Sequence, residues 1–280
     1  MNYQEILNQG SKILKLNNIK SYNLDSEVLL SSTLKLNRSQ LILNLDKKIE
    51  NKEKKNFFNL IERRKKNEPI AYIVGYKEFW KKKFKVDKSV LIPRPDTELI
   101  VEEVLKNLSL NCTKKILDIG TGSGCILISI LLERPKCHGL GADISAKAIK
   151  IAKYNAKIQQ LSNRIKFLNS NVDNILTGKY DLIVSNPPYI KKNKVNSLDC
   201  EIKFFEPKTA LDGGADGFEK IKKIISKSYF LLKTNGKLYL EIGFDQFYKV
   251  NLLLLNKKFQ INRVVKDLGN KNRCIVATKI

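Results

Sequence analysis

Near the middle of this chain lies the stretch Ile116-Leu117-Asp118-Ile119-Gly120-Thr121-Gly122-Ser123-Gly124, an apolar run that leads into a glycine-rich turn. Residues Cys125 to Leu132 continue it with a pattern typical of a helix. Glycines suit such a turn because the chain reverses tightly and its backbone lies against a ligand without a Cβ atom in the way. The stretch therefore predicts a strand, a cofactor loop and a helix.

The next predicted strand ends in an acidic residue, Asp143, about 20 residues beyond the loop, where a carboxylate can hold a ribose diol. A dinucleotide and S-adenosylmethionine are both compatible with these two features. The spacing G-x-G-x-G lacks the third glycine of the dinucleotide fingerprint. Asp118 also stands where it could face a positively charged amino acid group. Both points favour S-adenosylmethionine.

Apolar, strand-like runs alternate with helical patterns from about residue 110 onward. This alternation predicts an α/β fold with a mostly parallel, Rossmann-like sheet covered by helices on both faces. The runs 259–267 and 274–280 follow one another without a helix, so we expect an antiparallel hairpin at the sheet edge. We predict a small helical domain over residues 1–75, a hairpin and proline connector over residues 76–108, and the α/β domain over residues 109–280.

A second loop, Ser185-Asn186-Pro187-Pro188-Tyr189, follows an apolar strand and so lies at the carboxyl end of the sheet. The prolines stiffen the backbone and have no N–H, which leaves the Asn186 side-chain oxygen and the Pro187 carbonyl as acceptors. Two such acceptors suit a planar NH2 group that receives a methyl from a sulfonium. Tyr189 would pack on the flat face of that group, and no histidine base is required.

The composition narrows the possible chemistry. The single histidine, His138, argues against metal sites with several imidazole ligands and against Ser/His/Asp relays, so we predict no metal site. The 52 Lys+Arg against 28 Asp+Glu give a net charge of +24, which points to an acidic partner or to compositional drift.

The cysteines and the apolar runs indicate a compartment. The five cysteines are scattered without CxxC spacing and are typical of reduced thiols. No apolar run approaches the roughly 18 residues of a membrane span, and the start of the sequence lacks a signal-peptide pattern. We expect a cytoplasmic monomer without a membrane or an obligatory nucleic-acid partner.

These loops and several further stretches resemble the release factor glutamine methyltransferase family over almost the full length. DIGTGSG and SNPPYI are shared with adenine N6 methyltransferases. More specific are the stretches 71–75 (AYIVG), 78–80 (EFW), 91–98 (LIPRPDTE), 206–217 (from Glu-Pro to Gly-Gly-Ala-Asp-Gly) and 241–243 (EIG). The resemblance implies S-adenosylmethionine as cofactor, a helical domain that docks the substrate protein, and methylation of the glutamine N5 in the Gly-Gly-Gln loop of peptide chain release factors.

The resemblance also implies roles for individual residues. The loop residues Gly120, Thr121, Gly122, Ser123 and Gly124 would hold the amino acid end of the cofactor, and Asp143 its ribose. The catalytic set would be Asn186, Pro187, Pro188 and Tyr189, which would hold the glutamine amide, with Asn186 also beside the cofactor.

At two positions the chain departs from the family pattern. The family often has an acidic residue followed by Trp near the adenine, where this chain has Asn171 followed by Val172. Asn171 could accept from the adenine amino group, but Val172 cannot stack, which predicts weaker adenine binding. Lys81 stands where family members usually have glycine, so we expect the hairpin to differ.

Three alternatives remain open from the sequence. A ribosomal-protein glutamine methyltransferase shares both loops. A nucleic-acid adenine or guanine amino methyltransferase fits the +24 charge, although the chain has no added target-recognition domain and few arginines for base readout. A non-enzymatic binding module with an inactive cofactor loop is the third.

Overall fold

The computed structural model describes residues 1–175 and 178–280. Residues 1–75 fold into the helices α1 (Tyr3–Leu16), α2 (Tyr22–Leu34), α3 (Arg38–Ile42), α4 (Asn51–Lys65) and α5 (Ile70–Val74). Asn2 begins α1 with a capping box, in which its side chain accepts from Glu5 N at 2.8 Å and its own N–H donates to the Glu5 carboxylate at 3.0 Å. The apolar faces of these helices share one buried core around Phe57 and Ile61.

A short antiparallel hairpin follows, formed by β1 (Tyr76–Phe79) and β2 (Lys82–Lys85). Its two-residue turn places Trp80 at φ +47° and Lys81 at φ +60°, a backbone region that usually selects glycine or asparagine. The Trp80 N–H donates to Glu98 at 2.9 Å and its indole N–H donates to Glu133 at 3.0 Å. The hairpin therefore forms with lysine in the turn, and these bonds offset a strain of about 1–2 kcal/mol per residue.

The remaining elements mostly alternate between helix and strand, as the sequence predicted. They are α6 (Glu98–Asn107), β3 (Lys115–Ile119), α7 (Cys125–Glu133), β4 (His138–Asp143), α8 (Ala146–Ile158), β5 (Ile165–Asn169), β6 (Tyr180–Ser185), α9 (Cys200–Phe205), α10 (Glu219–Leu231), β7 (Leu232–Glu241), α11 (Phe247–Asn256), β8 (Phe259–Lys266) and β9 (Asn272–Lys279). The seven-stranded sheet has the order β5-β4-β3-β6-β7-β9-β8. Its first five strands are parallel, and β9 pairs antiparallel with both β7 and β8. The predicted fold class is confirmed.

Both faces of the sheet are covered. Along β6, Leu182 and Val184 belong to one buried cluster and Ile183 to another, because neighbouring side chains of a strand point to opposite faces. Helices α6 and α7 contribute to the first cluster, and α10 and α11 to the second. This two-sided burial explains why the central strands β3 and β6 are mostly apolar.

The sheet has a topological switch point between β3 and β6. From β3 the chain builds outward through β4 to β5, and it then returns to the other side of β3 as β6. The Ser185 hydroxyl at the end of β6 donates to the Ile119 carbonyl at the end of β3, at 2.7 Å. The two predicted loops therefore leave neighbouring strands at the edge where open α/β sheets bind ligands.

The chain divides into two compact units, residues Met1–Gly75 with Asp199–Phe205 and residues Tyr76–Leu198 with Glu206–Ile280. In the first unit the buried Arg64 guanidinium donates to Asp25 at 2.6 Å and also pairs with Glu201 of α9. This ion-pair cluster connects α9 to the helices of residues 1–75. Among the described residues, no helix has both the length and the apolar character that a membrane crossing needs.

Candidate functional site

A cavity of about 580 Å³ opens at the carboxyl ends of β3, β4 and β6. Its volume lies within the range of small-molecule sites. Most of the residues predicted from the sequence line it: Gly120, Thr121, Gly122, Ser123, Asp143, Asn171, Asn186, Pro187 and Pro188. Gly124 and Tyr189 do not line it.

The glycines of this loop have two different surroundings: Gly120 and Gly122 border open space, and Gly124 borders helix α7. Gly120 at φ +76° and Gly122 at φ +54° are left-handed, and a Cβ atom at Gly120 would meet no atom within 4 Å. At Gly122 a Cβ would meet only the Gly120 carbonyl oxygen, at 4.0 Å. Gly124 begins α7 at φ +81°, and a Cβ there would lie 2.9 Å from the Ile128 side chain. Gly120 and Gly122 thus leave room for a ligand, whereas Gly124 faces helix α7, and its left-handed backbone rather than its packing favours glycine.

Asp118 lies beneath this loop and is fully buried. Its Oδ2 accepts from the Thr121 hydroxyl at 2.7 Å, and its Oδ1 has no hydrogen-bond partner among the described residues. Burial raises the pKa of this carboxyl to about 7, although the Thr121 bond acts in the opposite direction. A cationic group at the loop would lower that pKa and stabilise the ionised form.

Asp143 fixes the loop from the neighbouring strand β4. Its two oxygens accept from the backbone N–H groups of Gly122 at 2.9 Å and Ser145 at 2.8 Å. Burial raises the pKa of Asp143, and these two bonds lower it. Because each carboxylate oxygen has a further acceptor site, Asp143 can still accept from a ligand hydroxyl in the cavity.

Asn171 and Val172 follow β5 and both line the cavity. The exposed Asn171 side chain accepts from Asp173 N at 3.3 Å. Val172 is half-buried against the cluster that contains Ile175. This wall therefore offers one amide and an aliphatic side chain, and an aromatic side chain is absent from it among the described lining residues.

The second loop presents free acceptors to the cavity. The Asn186 amide Nδ2 donates to the Thr97 hydroxyl at 2.9 Å. Within the part of the chain that the structure describes, no group donates to Asn186 Oδ1 or to the Pro187 carbonyl. Two oxygens are thus available for the two N–H bonds of a planar amide.

The Tyr189 side chain contacts Glu241 and does not line the cavity. Its hydroxyl donates to Glu241 Oε1 at 3.3 Å, and its ring packs with the cluster around Ile183. Burial and the nearby Glu241 raise the pKa of Tyr189, so its hydroxyl keeps its proton at neutral pH. The structure thus places Tyr189 behind the loop, while its predicted packing against a substrate stays a prediction.

Sequence reasoning did not assign two residues of this arrangement, Thr97 and Glu241. The Thr97 hydroxyl donates to Glu241 Oε2 at 2.7 Å, and Glu241 is only 2% exposed at the end of β7. Burial raises the pKa of Glu241 to about 7, while Thr97 and Arg273 lower it. The stretches that contain Thr97 and Glu241 were part of the family resemblance, but nothing in the sequence alone brings them together.

Two family models match the chain. The model described as PrmC N-terminal domain matches residues 5–75, and the model described as Methyltransferase small domain matches residues 95–212. The first match runs from within α1 to the end of α5, and the second covers both loops of the cavity.

Relatives match over nearly all of the chain. A release factor glutamine methyltransferase of Clostridium acetobutylicum is 39% identical and covers 100% of this chain and 99% of its own length. One of Caulobacter vibrioides is 35% identical, over 95% of this chain and 92% of its own length. A bifunctional methyltransferase of Rickettsia felis is 37% identical over 99% of this chain, which spans only 58% of that relative.

A solved methyltransferase structure from Pyrococcus furiosus has the same fold. Its TM-score is 0.53 at 19% identity, over 79% of this chain and 98% of that chain.

Proposed function

Because this chain belongs to the release factor glutamine methyltransferase family, we propose that it methylates a glutamine side chain in its substrate protein. The methyl group of S-adenosylmethionine goes to N5 of the glutamine in the Gly-Gly-Gln loop of peptide chain release factors. The observation that supports this most directly is the pair of free acceptors, Asn186 Oδ1 and the Pro187 carbonyl, in the cavity that also contains the glycine loop.

The residues of the cavity fit S-adenosylmethionine. Gly120 and Gly122 have open space where side chains would stand. The fully buried Asp118 does not line the cavity itself, but its carboxyl lies behind the loop, where its negative charge would favour an ammonium group bound in front of the loop. In this proposal Asp143 holds the ribose, and Asn171 accepts from the adenine. When bound, the cofactor supplies an electrophilic methyl group on a sulfonium centre.

The chain itself holds and polarises the substrate amide. An amide nitrogen is a poor nucleophile because its lone pair is delocalised. Asn186 Oδ1 and the Pro187 carbonyl each accept one N–H, which fixes the direction of the nitrogen and stabilises the positive charge that grows on it. The methylated nitrogen is acidic, so one of its two protons would leave to water and give a neutral N-methylamide, while the sulfonium that gave up the methyl group would leave as a neutral thioether. Pro188 keeps this loop rigid. These roles need neither an imidazole nor a metal ligand.

The remaining parts of the proposal concern the partner and its location. The helices of residues 1–75 dock the release factor. The chain acts as a monomer in the cytoplasm. The five free cysteines among the described residues accord with that reducing compartment. Nucleic acid is not required.

The proposal is tested with methyl-labelled S-adenosylmethionine and a purified release factor, beside the same factor with its Gly-Gly-Gln glutamine replaced by alanine. We expect label in the first protein only, with one methyl on that glutamine by mass spectrometry. Equal labelling of both proteins, or of neither, would overturn the proposal. Label in ribosomal protein or in RNA, but not in the release factor, would assign the chain to one of those substrates.

A further inference from the structure

We propose that Thr97 and Glu241 are positioning residues, which set the orientation of the Asn186 amide and so aim its oxygen at the substrate. The inference rests on the proposed function. The three side chains are joined by two hydrogen bonds. Asn186 Nδ2 donates to Thr97 Oγ1 at 2.9 Å, and Thr97 Oγ1 donates to Glu241 Oε2 at 2.7 Å.

The direction of these bonds follows from the number of protons. A hydroxyl has one proton to donate and two lone pairs that accept, and an ionised carboxylate only accepts. Above about pH 7, where Glu241 is mainly ionised, it therefore takes the Thr97 proton, and Thr97 can then only accept from its other neighbour. The Asn186 group that faces Thr97 must then be the NH2, and its oxygen must point away from Thr97. Without this constraint the two ends of an asparagine amide are nearly equivalent in shape.

Glu241 is well placed to maintain this direction. It is 2% exposed, and its other oxygen accepts from the Tyr189 hydroxyl at 3.3 Å. The charged groups that act on it are Arg273 from β9, which favours its ionised form, and Asp96 beside Thr97, which opposes it. A buried carboxylate that is held on both oxygens keeps a fixed position while substrates enter and leave.

A reversed Asn186 amide would weaken only the binding of the reacting substrate amide. If Asn186 turned its NH2 toward the cavity, that NH2 would face the N–H bonds of the substrate with no acceptor between them. The substrate would still fit, but one of its two N–H bonds would lose its acceptor. A loss of Thr97 or Glu241 should therefore lower kcat and leave cofactor affinity unchanged.

The test compares Thr97→Val, Thr97→Ser and Glu241→Gln with the unmodified chain. We expect kcat on the release factor to fall about tenfold or more in Thr97→Val. It should fall less in Glu241→Gln, because glutamine still offers one acceptor. In Thr97→Ser, which keeps the hydroxyl, kcat should stay within about threefold of that of the unmodified chain. The dissociation constant of S-adenosylmethionine, by calorimetry, should stay within about twofold. The thermal midpoint of each variant shows whether the chain has remained folded.

A double-variant cycle distinguishes action through the hydrogen-bonded series Asn186–Thr97–Glu241, the relay, from a general effect of Thr97 on packing. If Thr97 acts through Asn186, Thr97→Val should cause no further loss in a chain that already carries Asn186→Ala. Additive losses would overturn the inference, as would full activity of Thr97→Val.

A measurement without substrate separates failure of the relay from failure of the proposed function. In protein labelled with 15N-asparagine, the side-chain NH2 signal of Asn186 is identified by its loss in Asn186→Ala. Hydrogen exchange of this NH2 should be slow in the unmodified chain and in Thr97→Ser, but fast in Thr97→Val. Equal exchange in all three would reject the relay. If the unmodified chain fails to label the release factor, the function is wrong whatever this signal shows.

Discussion

Two buried carboxyls, Asp118 and Glu241, each accept a hydrogen bond from one of the two loops, Asp118 from Thr121 and Glu241 from Tyr189. Burial raises the pKa of each to about 7, far above its value in an unfolded chain. The folded chain therefore holds more protons than the unfolded chain between about pH 4 and pH 7. The stability that these groups contribute is present below that window and is lost as the pH rises through about 7. Ionisation of either carboxyl in the folded chain therefore lowers the free energy of unfolding.

The raised pKa of Glu241 predicts how activity depends on pH. Below about pH 7 Glu241 gains a proton and can donate to Thr97, whose own proton can then turn toward Asn186. The groups that act on Glu241 are Thr97, Arg273, Tyr189 and Asp96. At saturating cofactor, kcat should fall as the pH drops through about 7, and the profile of Glu241→Gln should be flatter over that range.

Saturating cofactor is needed in this experiment because Asp118 titrates over the same range and should act on cofactor affinity. The binding curve for S-adenosylmethionine at each pH provides that control. Identical pH profiles for the unmodified chain and Glu241→Gln would contradict the role of Glu241.

At the scale of elements, the strand-loop-helix of residues 115–133 is the part that the sequence predicted most completely. Local signals are sufficient there, because an apolar run, glycines and an apolar helix lie side by side in the chain. Thr97 and Glu241 carry no such signal. Thr97 lies 89 positions from Asn186 and 144 positions from Glu241. The sheet order places β7 beside β6, which brings Glu241 near Asn186, and the packing of α6 against the sheet brings in Thr97 directly before that helix.

The same loop provides an element-scale prediction. Gly120 and Gly75 are both left-handed, at φ +76° and φ +84°, and a Cβ atom at either would meet no atom within 4 Å. Alanine at each position should therefore cost a similar backbone strain of about 1–2 kcal/mol. Only Gly120→Ala should also weaken S-adenosylmethionine binding, by about tenfold or more, since its methyl group enters the cavity.

Gly75→Ala is the matched control in this comparison, because Gly75 caps α5 and does not line the cavity. Calorimetric titration and thermal unfolding of both variants give the two quantities. If both variants bound the cofactor as the unmodified chain does, the loop would not be the cofactor site.

At the scale of the whole molecule, the net charge of +24 is the feature that neither loop explains. The cavity itself is lined by Lys192, Lys208, Lys220 and Lys223. Positive charge of this extent accelerates encounter with an acidic partner, and salt screens the effect over a Debye length of about 10 Å at 0.1 M. A composition that is rich in lysine for other reasons would show no such dependence.

If the charge steers the release factor, its kcat/KM should fall about fivefold between roughly 0.05 and 0.3 M NaCl, while kcat stays constant. A short uncharged Gly-Gly-Gln peptide is the control, and its kcat/KM should stay level over the same range. Equal salt dependence for the protein and the peptide would assign the charge to composition alone.

Strand β9 lies between β7 and β8 although it follows both in the chain. While the polypeptide is being synthesised, a nascent chain that extends only to Lys266 has a β7 edge without its neighbour and a β8 with nothing to pair with. It also lacks Arg273, which favours the ionised form of Glu241. Each new copy of the protein therefore completes this part of its site only after residues 272–279 have left the ribosome.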